Sequence, residues 1–316
     1  MITRALLRTK AIQILYASYQ SGNLNLKHVD NDLSFSIEKA YDLYHYLLLL
    51  PIELTRYADR RIEAAQRKLR PTEADLNPNR RFVDNMFVAQ LSQNTALQTY
   101  ISKHKLSWAN HQEMIRALFE RLEATSYYQA YLSAETSNYE QDKELWRIFF
   151  KRELHGNNDF EDLLEEMSIY WLDDMDTIIS FILKTVKHFV KKTEENQPLL
   201  SIENDREDRE FISQLVHQLI LNNAEYDTLI DKFTNNWDIE RIAFMDTLIL
   251  RMAVAELSDF PTIPVNVTLN EYIEIAKYYS TPRSHIFVNG VLDQIVSHLR
   301  KEKKLQKVGE TENNQE

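Results

Sequence analysis

The chain has 316 residues, a formal net charge of −11, 44% hydrophobic and 27% charged residues, four glycines, seven prolines and no cysteine. The missing cysteine excludes disulfides and thiolate metal sites. Glycine this scarce excludes the tight turns of sheet proteins and the loops that cradle nucleotide phosphates. The acidic balance excludes a surface that binds nucleic acid everywhere, although charge acts locally. These limits predict an all-α protein, long enough for one large or two modest cores, with a cysteine usage that fits a reducing cytoplasm.

A first amphipathic helix is predicted over about Thr3 to Tyr19, with Ala5, Ile12, Tyr16 and Tyr19 on one stripe, and "SGNLN" ends it. The first 29 residues hold Arg4, Arg8, Lys10 and Lys27 and neither Asp nor Glu. Arg4 and Arg8 lie one turn apart, a spacing at which two guanidinium groups can clamp neighbouring phosphates. At a helix N-terminus each cation opposes the macrodipole by about 0.3–1 kcal/mol, so the placement points to an anionic ligand. Polar residues interrupt every apolar run of this start, which predicts no signal peptide. The longest apolar run, "YLLLLPI" from Tyr46 to Ile52, is too short to cross a bilayer, and a soluble protein is expected.

Helix then follows helix to about Lys192, broken at "RPTEADLNPN", "HGNND" and the polar "KKTEENQPLLSIENDRED". Two basic features fall here: eight Arg or Lys residues between Arg56 and Arg81, and Lys184, Lys187 and Lys191 on one helical face. A charged helix face is ordinarily solvated, so these read as surface before they read as a nucleic-acid contact. "YHYLLLLP" and Tyr127, Tyr128 and Tyr131 read as core.

Further along, helices are predicted over about Glu207 to Asn222 and Tyr226 to Asn235, with a short turn in "NWDIERIAF" capped by Asp238. "MDTLILRMAVAEL" carries a buried stripe that "DFPTIP" stops. In "TLNEYIEIAKYYS", Thr268 and Glu271 have capping-box spacing. The last helix begins near Pro282 or Ser284 and fades into an acidic tail, 303–316, expected to be disordered. Segment 142–176 echoes 208–246 ("DKEL" and "DREF", "FEDLLEE" and "YDTLIDK"), a candidate degenerate duplication. Gly290 stands inside the last helix, where glycine costs about 0.5–1 kcal/mol relative to alanine. The expected reason is close approach of another helix, which makes Gly290 structural.

Four ordered blocks, "RTKAIQILYASYQ", "NWDIERIAFMDTLILRMAVAEL", "IPVNVTLNEYIEIAKYY" and "SHIFVNGVLDQI", resemble the NusB family of transcription antitermination factors. The resemblance covers about Thr3 to Tyr19 and Asp208 to Leu299. It implies an all-α, NusB-like helical bundle of two subbundles. Residues 1–24 supply its first helix and 200–302 the remainder, with 25–199 an inserted helical domain. It further implies binding of boxA-like RNA together with NusE, a small-subunit ribosomal protein, within the transcription elongation complex, in support of ribosomal RNA operons. Carried over by position, Arg8 falls on the family's basic RNA-contacting residue, with Arg4 beside it and Lys10 assisting. Ser284, His285, Phe287 and Asn289 match the RNA-contacting start of the last helix, where free N–H groups suit a phosphate and an aromatic ring can stack on a base. Tyr16 and Asp246 match the positions that face NusE. Against each stands a plainer reading: solvated cations for the arginines, core for Tyr16 and Phe287, a dipole-favoured helix start for Asp246.

Enzymatic function is not expected. The chain has no nucleotide loop, no zinc-protease helix pair and no nucleophile motif. RNA methyltransferases that carry a NusB-like domain add a glycine-rich cofactor domain that this composition cannot build. No cofactor or metal is therefore expected. The alternative to RNA binding is a protein-interaction scaffold that keeps the fold with weak or no RNA affinity.

Overall fold

The computed structural model describes residues 4–200, 206–234, 243–305 and 307–308. Among the described residues there is no strand, and no helix is long and apolar enough to cross a membrane. In chain order the helices are α1 (Arg4–Ser21), α2 (Leu26–Leu48), α3 (Leu50–Gln66), α4 (Glu73–Leu76), α5 (Met86–Gln93), α6 (Thr95–His104), α7 (Gln112–Glu123) and α8 (Ser126–Ser133). They continue with α9 (Tyr139–Arg152), α10 (Asn158–Met167), α11 (Met175–His188), α12 (Arg206–Thr234), α13 (Phe244–Asp259), α14 (Val265–Tyr279) and α15 (Ser284–Lys301). The chain divides into two compact units, 1–37 with 202–316 and 38–201. The division falls inside α2, downstream of the boundary expected after Leu24.

The first unit is organised around α13, which packs against α1, α12, α14 and α15. Neighbours on so many sides explain why residues 248–250 and 252–257 are all buried: a helix apolar all round belongs in a core. α1 stops at Gly22, whose φ of +70° is left-handed. The Gly22 and Asn23 N–H groups return to the Tyr19 and Ser18 carbonyls at 3.2 and 3.0 Å, closing the helix end. The two helices expected between Glu207 and Asn235 are one, α12, kinked where Asn222 leaves helical geometry (φ −113°, ψ 18°). The expected Asp238 cap and its short turn lie outside the described residues.

Thr268 and Glu271 do not form a capping box. α14 begins three residues earlier, at Val265 behind Pro264, whose ring presets the backbone for a helix entry, and both side chains serve elsewhere. The tail also departs from expectation at its near end. Lys307 is buried, with Nζ donating to the Phe260 and Glu256 carbonyls at 2.9 and 3.2 Å, and the Val308 N–H donates to Pro261 at 2.9 Å.

The second unit has an aromatic interior. Tyr46 stacks on Trp108 at 4.1 Å and meets Trp171 at 5.3 Å, while Phe82 packs against Trp146, Phe119 and Tyr128. The indole N–H groups of Trp108 and Trp171 donate to the Tyr46 and Lys39 carbonyls, at 3.0 and 2.9 Å, so each ring is buried without stranding its donor. Buried Asn85 and Asn94 cap α5 and α6 by accepting from the Val88 and Leu97 N–H groups, both at 3.0 Å. Tyr128 and Tyr131 are core, as read from the sequence. The echo segments occupy α9 to α11 and α12 to α13, and place Leu145 and Phe211, Phe160 and Tyr226, and Leu164 and Ile230 in buried positions.

Candidate nucleic-acid interface

The basic face expected on α1 is largely internal. Arg8 is 2% exposed and grips Glu256 of α13 with both arms, Nε to Oε2 at 2.7 Å and Nη2 to Oε1 at 2.8 Å. The same carboxylate accepts from the Thr268 hydroxyl at 2.8 Å and the Tyr272 hydroxyl at 3.1 Å. Glu271 stands 3.6 Å from the guanidinium. Burial alone would pull the Arg8 pKa down; the Glu256 hydrogen bonds and the surrounding negative groups outweigh it and hold the pKa above its ordinary value. Burial raises that of Glu271, with Arg8 opposing. A bidentate, fully hydrogen-bonded pair is the form in which a buried arginine is tolerated. Its function is therefore to join α1 to α13 and α14, which corrects the expectation that Arg8 meets RNA. Lys10 is buried as well, so it offers RNA no surface.

Arg4 is the basic residue of α1 that reaches solvent. Its Nε donates to Asp208 at 2.7 Å, its Nη2 lies 3.1 Å from Glu207, and its guanidinium covers the Phe211 ring at 4.8 Å. The charge that α1's own N-terminus disfavours is thus compensated by the acidic first turn of α12.

The start of α15 is built on Asp246. This buried carboxylate accepts from the Ser280 hydroxyl at 2.5 Å and the Ser284 hydroxyl at 2.8 Å. The Thr281 N–H in turn donates to the Ser284 hydroxyl at 3.1 Å. Both carboxylate oxygens are committed to the 280–284 turn, so Asp246 does not face a partner; it fixes the approach to α15. Ser284 is buried for the same reason and offers no free hydroxyl to RNA. Phe287, at 8% exposed, shares the inward stripe with Val288, Val291, Leu292 and Ile295, and packs where base stacking was expected. His285 is half-buried and Asn289 exposed, beside exposed Arg283 and Ile286.

A Cβ built at Gly290 meets nothing within 4 Å. The close helix approach expected there is absent, because Gly290 lies on the outward face of α15.

Tyr16 remains partly exposed and meets Phe244 of α13 at 5.7 Å, and Tyr19 meets the same ring edge-on at 5.7 Å. Gln13 of α1 reaches the Tyr279 hydroxyl of α14 at 3.5 Å. The second half of α1 and the turn before α15 therefore converge on the N-terminal end of α13, through Tyr16 on Phe244 and Ser284 on Asp246. Phe244 was missed from sequence; its one signal was a bulky apolar residue two positions before Asp246, at a helix start. Glu256 was missed because it sits within an apolar run and gives no sign of a partner 248 residues away.

In the second unit the basic tract from Arg56 to Arg81 is mostly paired. Arg56 meets Glu53, Arg61 meets Glu123, Arg67 meets Glu63, Lys68 meets Asp75 and Arg80 meets Asp59 and Asp84. Interleaved partners leave it no concentrated positive field.

A match to the NusB family spans residues 166–297. It starts inside the segment expected as an insertion and does not reach α1. The chain is similar to the transcription antitermination protein NusB of Salinibacter ruber, 44% identical over 108 residues, covering 34% of this chain and 68% of the relative. It is similar to the protein of that name from Geobacter sp. strain M21, 36% identical over 133 residues, covering 42% and 90%. The corresponding protein of Chloroherpeton thalassium is 39% identical over 101 residues, covering 32% and 48%. The solved T. maritima NusB, at 28% identity, covers 46% of this chain and 89% of that one with a TM-score of 0.30, a likeness that adds nothing to the fold argument.

Proposed function

The chain belongs to the NusB family, and on that premise we propose that it is a transcription antitermination factor that acts by binding rather than catalysis. Its ligand is boxA-like RNA, and its partner is the small-subunit ribosomal protein NusE within the elongation complex. The observation that supports this best is the convergence of α1 and the α15 turn on the N-terminal end of α13. It puts the exposed aromatic pair Tyr16 and Phe244, suited to a protein partner, in the same unit as exposed Arg283 and half-buried His285 at a helix N-terminus, suited to phosphate, with exposed Asn289 in the next turn.

The RNA surface differs from the one expected. Arg283, His285 and Asn289 are its members at the start of α15, and Arg4 is a separate contact toward the other end of α13, where Arg8 meets Glu256 and Phe211 meets Phe260; Arg8 and Asp246 hold the frame. A second reading, the interaction scaffold, draws support from the burial of Arg8 and Lys10, which leaves α1 with a single solvent-reaching cation. Salt dependence separates the two. Titration of a labelled boxA-like RNA with NusE present should weaken linearly in log salt, and Arg4→Ala with Arg283→Ala should flatten that slope by about 0.7 for each phosphate that is no longer neutralised. An unchanged slope and affinity in the double variant favours the scaffold.

A further inference from the structure

Arg4 is 33% exposed, Glu207 91% and Asp208 14%. Two carboxylates from the first turn of α12, Glu207 in solvent and Asp208 largely buried, thus hold the outermost cation of α1, while the Phe211 ring lies 4.8 Å from the guanidinium. To a guanidinium, carboxylate oxygens at 2.7 and 3.1 Å present what a phosphate presents: anionic acceptors at charge-assisted hydrogen-bond distance. We propose that the acidic first turn of α12 is an intramolecular mimic of an RNA phosphate. It occupies Arg4 in the RNA-free protein and must be displaced when RNA binds. The inference rests on the reading that the α1 face meets RNA.

Two consequences follow. First, RNA exchanges one ion pair for another at Arg4, so in the parent protein this contact adds less affinity and less salt dependence than an unclasped arginine would. Second, affinity becomes adjustable through the clasp: whatever draws Glu207 and Asp208 away from Arg4 strengthens RNA binding without touching the RNA. A helix N-terminus favours acidic residues for its own dipole. In that role alone, neutralising the pair would cost helix stability and leave RNA affinity unchanged.

The test uses the full-length protein, a fluorescein-labelled single-stranded boxA-like RNA and NusE, read by anisotropy. Glu207→Gln with Asp208→Asn should tighten binding by up to about fivefold, the upper end for a partly exposed ion pair, and steepen the salt slope by up to about 0.7. In an Arg4→Ala background the same neutralisation should change nothing. Glu207→Gln alone, which keeps the Asp208 carboxylate at the helix start, should give part of the gain, and thermal melts verify that each variant is folded. Neutralisation without tightening overturns the inference. So does equal tightening with and without Arg4, which is only a change in overall charge. If Arg4→Ala still weakens binding in either of those cases, the RNA face stands and the clasp alone falls. If Arg4→Ala has no effect even in the neutralised protein, the RNA face at Arg4 falls and takes the clasp with it.

Discussion

The two units bury polarity in opposite ways. In 38–201 the interior is aromatic, and its buried amides and carboxylates cap the starts of helices: Asn94 accepts from Leu97 at 3.0 Å, and Asp142 accepts from the Met86 N–H at 2.8 Å. In 1–37 with 202–316 the interior holds a charge cluster, Arg8 with Glu256, joining segments 248 residues apart. Caps define where helices begin. A long-range bidentate pair defines which helix face meets which, because a slip of one residue would strand a buried charge. Both units bury single charges, Asp142 and Lys143 among them in the second, but the bidentate arginine–glutamate pair belongs to the unit assembled from distant segments.

The strongest way to break this contrast is Glu256→Ala. It leaves Arg8 buried with only the 3.6 Å approach to Glu271, and should cost about 3–5 kcal/mol. Urea denaturation with hydrogen exchange should localise the effect to α1, α13 and α14 while α5 to α9 stay protected. Destabilisation spread over both units would mean that the cluster is not specific to the first.

An intermediate effect belongs to the second unit. His45 is sandwiched against Tyr100 at 3.7 Å, and Tyr100 against His104 at 4.0 Å. Burial lowers the His45 pKa to about 4, with the Tyr41 carbonyl and Asp42 opposing. The unfolded chain therefore binds the His45 proton more readily than the folded one, and stability present above about pH 6.5 is lost as pH falls toward 4, by about 3 kcal/mol. His45→Gln should flatten the pH dependence of denaturation in that window; an unaltered profile would assign it to other groups.

The smallest effect sharpens the contrast on the surface. Gly290→Ala fills open space on α15 and removes the entropy cost of a helical glycine, so it should raise stability by about 0.5–1 kcal/mol. A fall in melting temperature would show that the position needs its missing side chain within the folded protein.

Much of the helical plan was legible because its signals are local. α1 was expected over Thr3 to Tyr19 and runs from Arg4 to Ser21, and the last helix starts at Ser284. Apolar periodicity reports directly on which face is buried. The interface was less legible because burial of a charge depends on a partner that local sequence does not reveal. Arg8 carries the same one-turn spacing from Arg4 whether its neighbour is phosphate or Glu256. Thr268 and Glu271 had the spacing of a cap, but Pro264 had already opened the helix. Phe287 was read as a ring that stacks on a base; the buried stripe from Val288 to Ile295 claims it for packing instead. For Asp246 the helix-start position was visible, but not the two serines that would claim its oxygens.

The anchoring of Lys307 bears on how the protein is handled. Its ammonium caps carbonyls at the end of α13, including that of Glu256, so a short strap past α15 is tied to the backbone beneath the central cluster. A truncation after Lys301 would cut that strap and loosen the very helix the unit is assembled on. Purification tags attached beyond Val308 leave the tie in place, and crystallisation variants should keep Lys307.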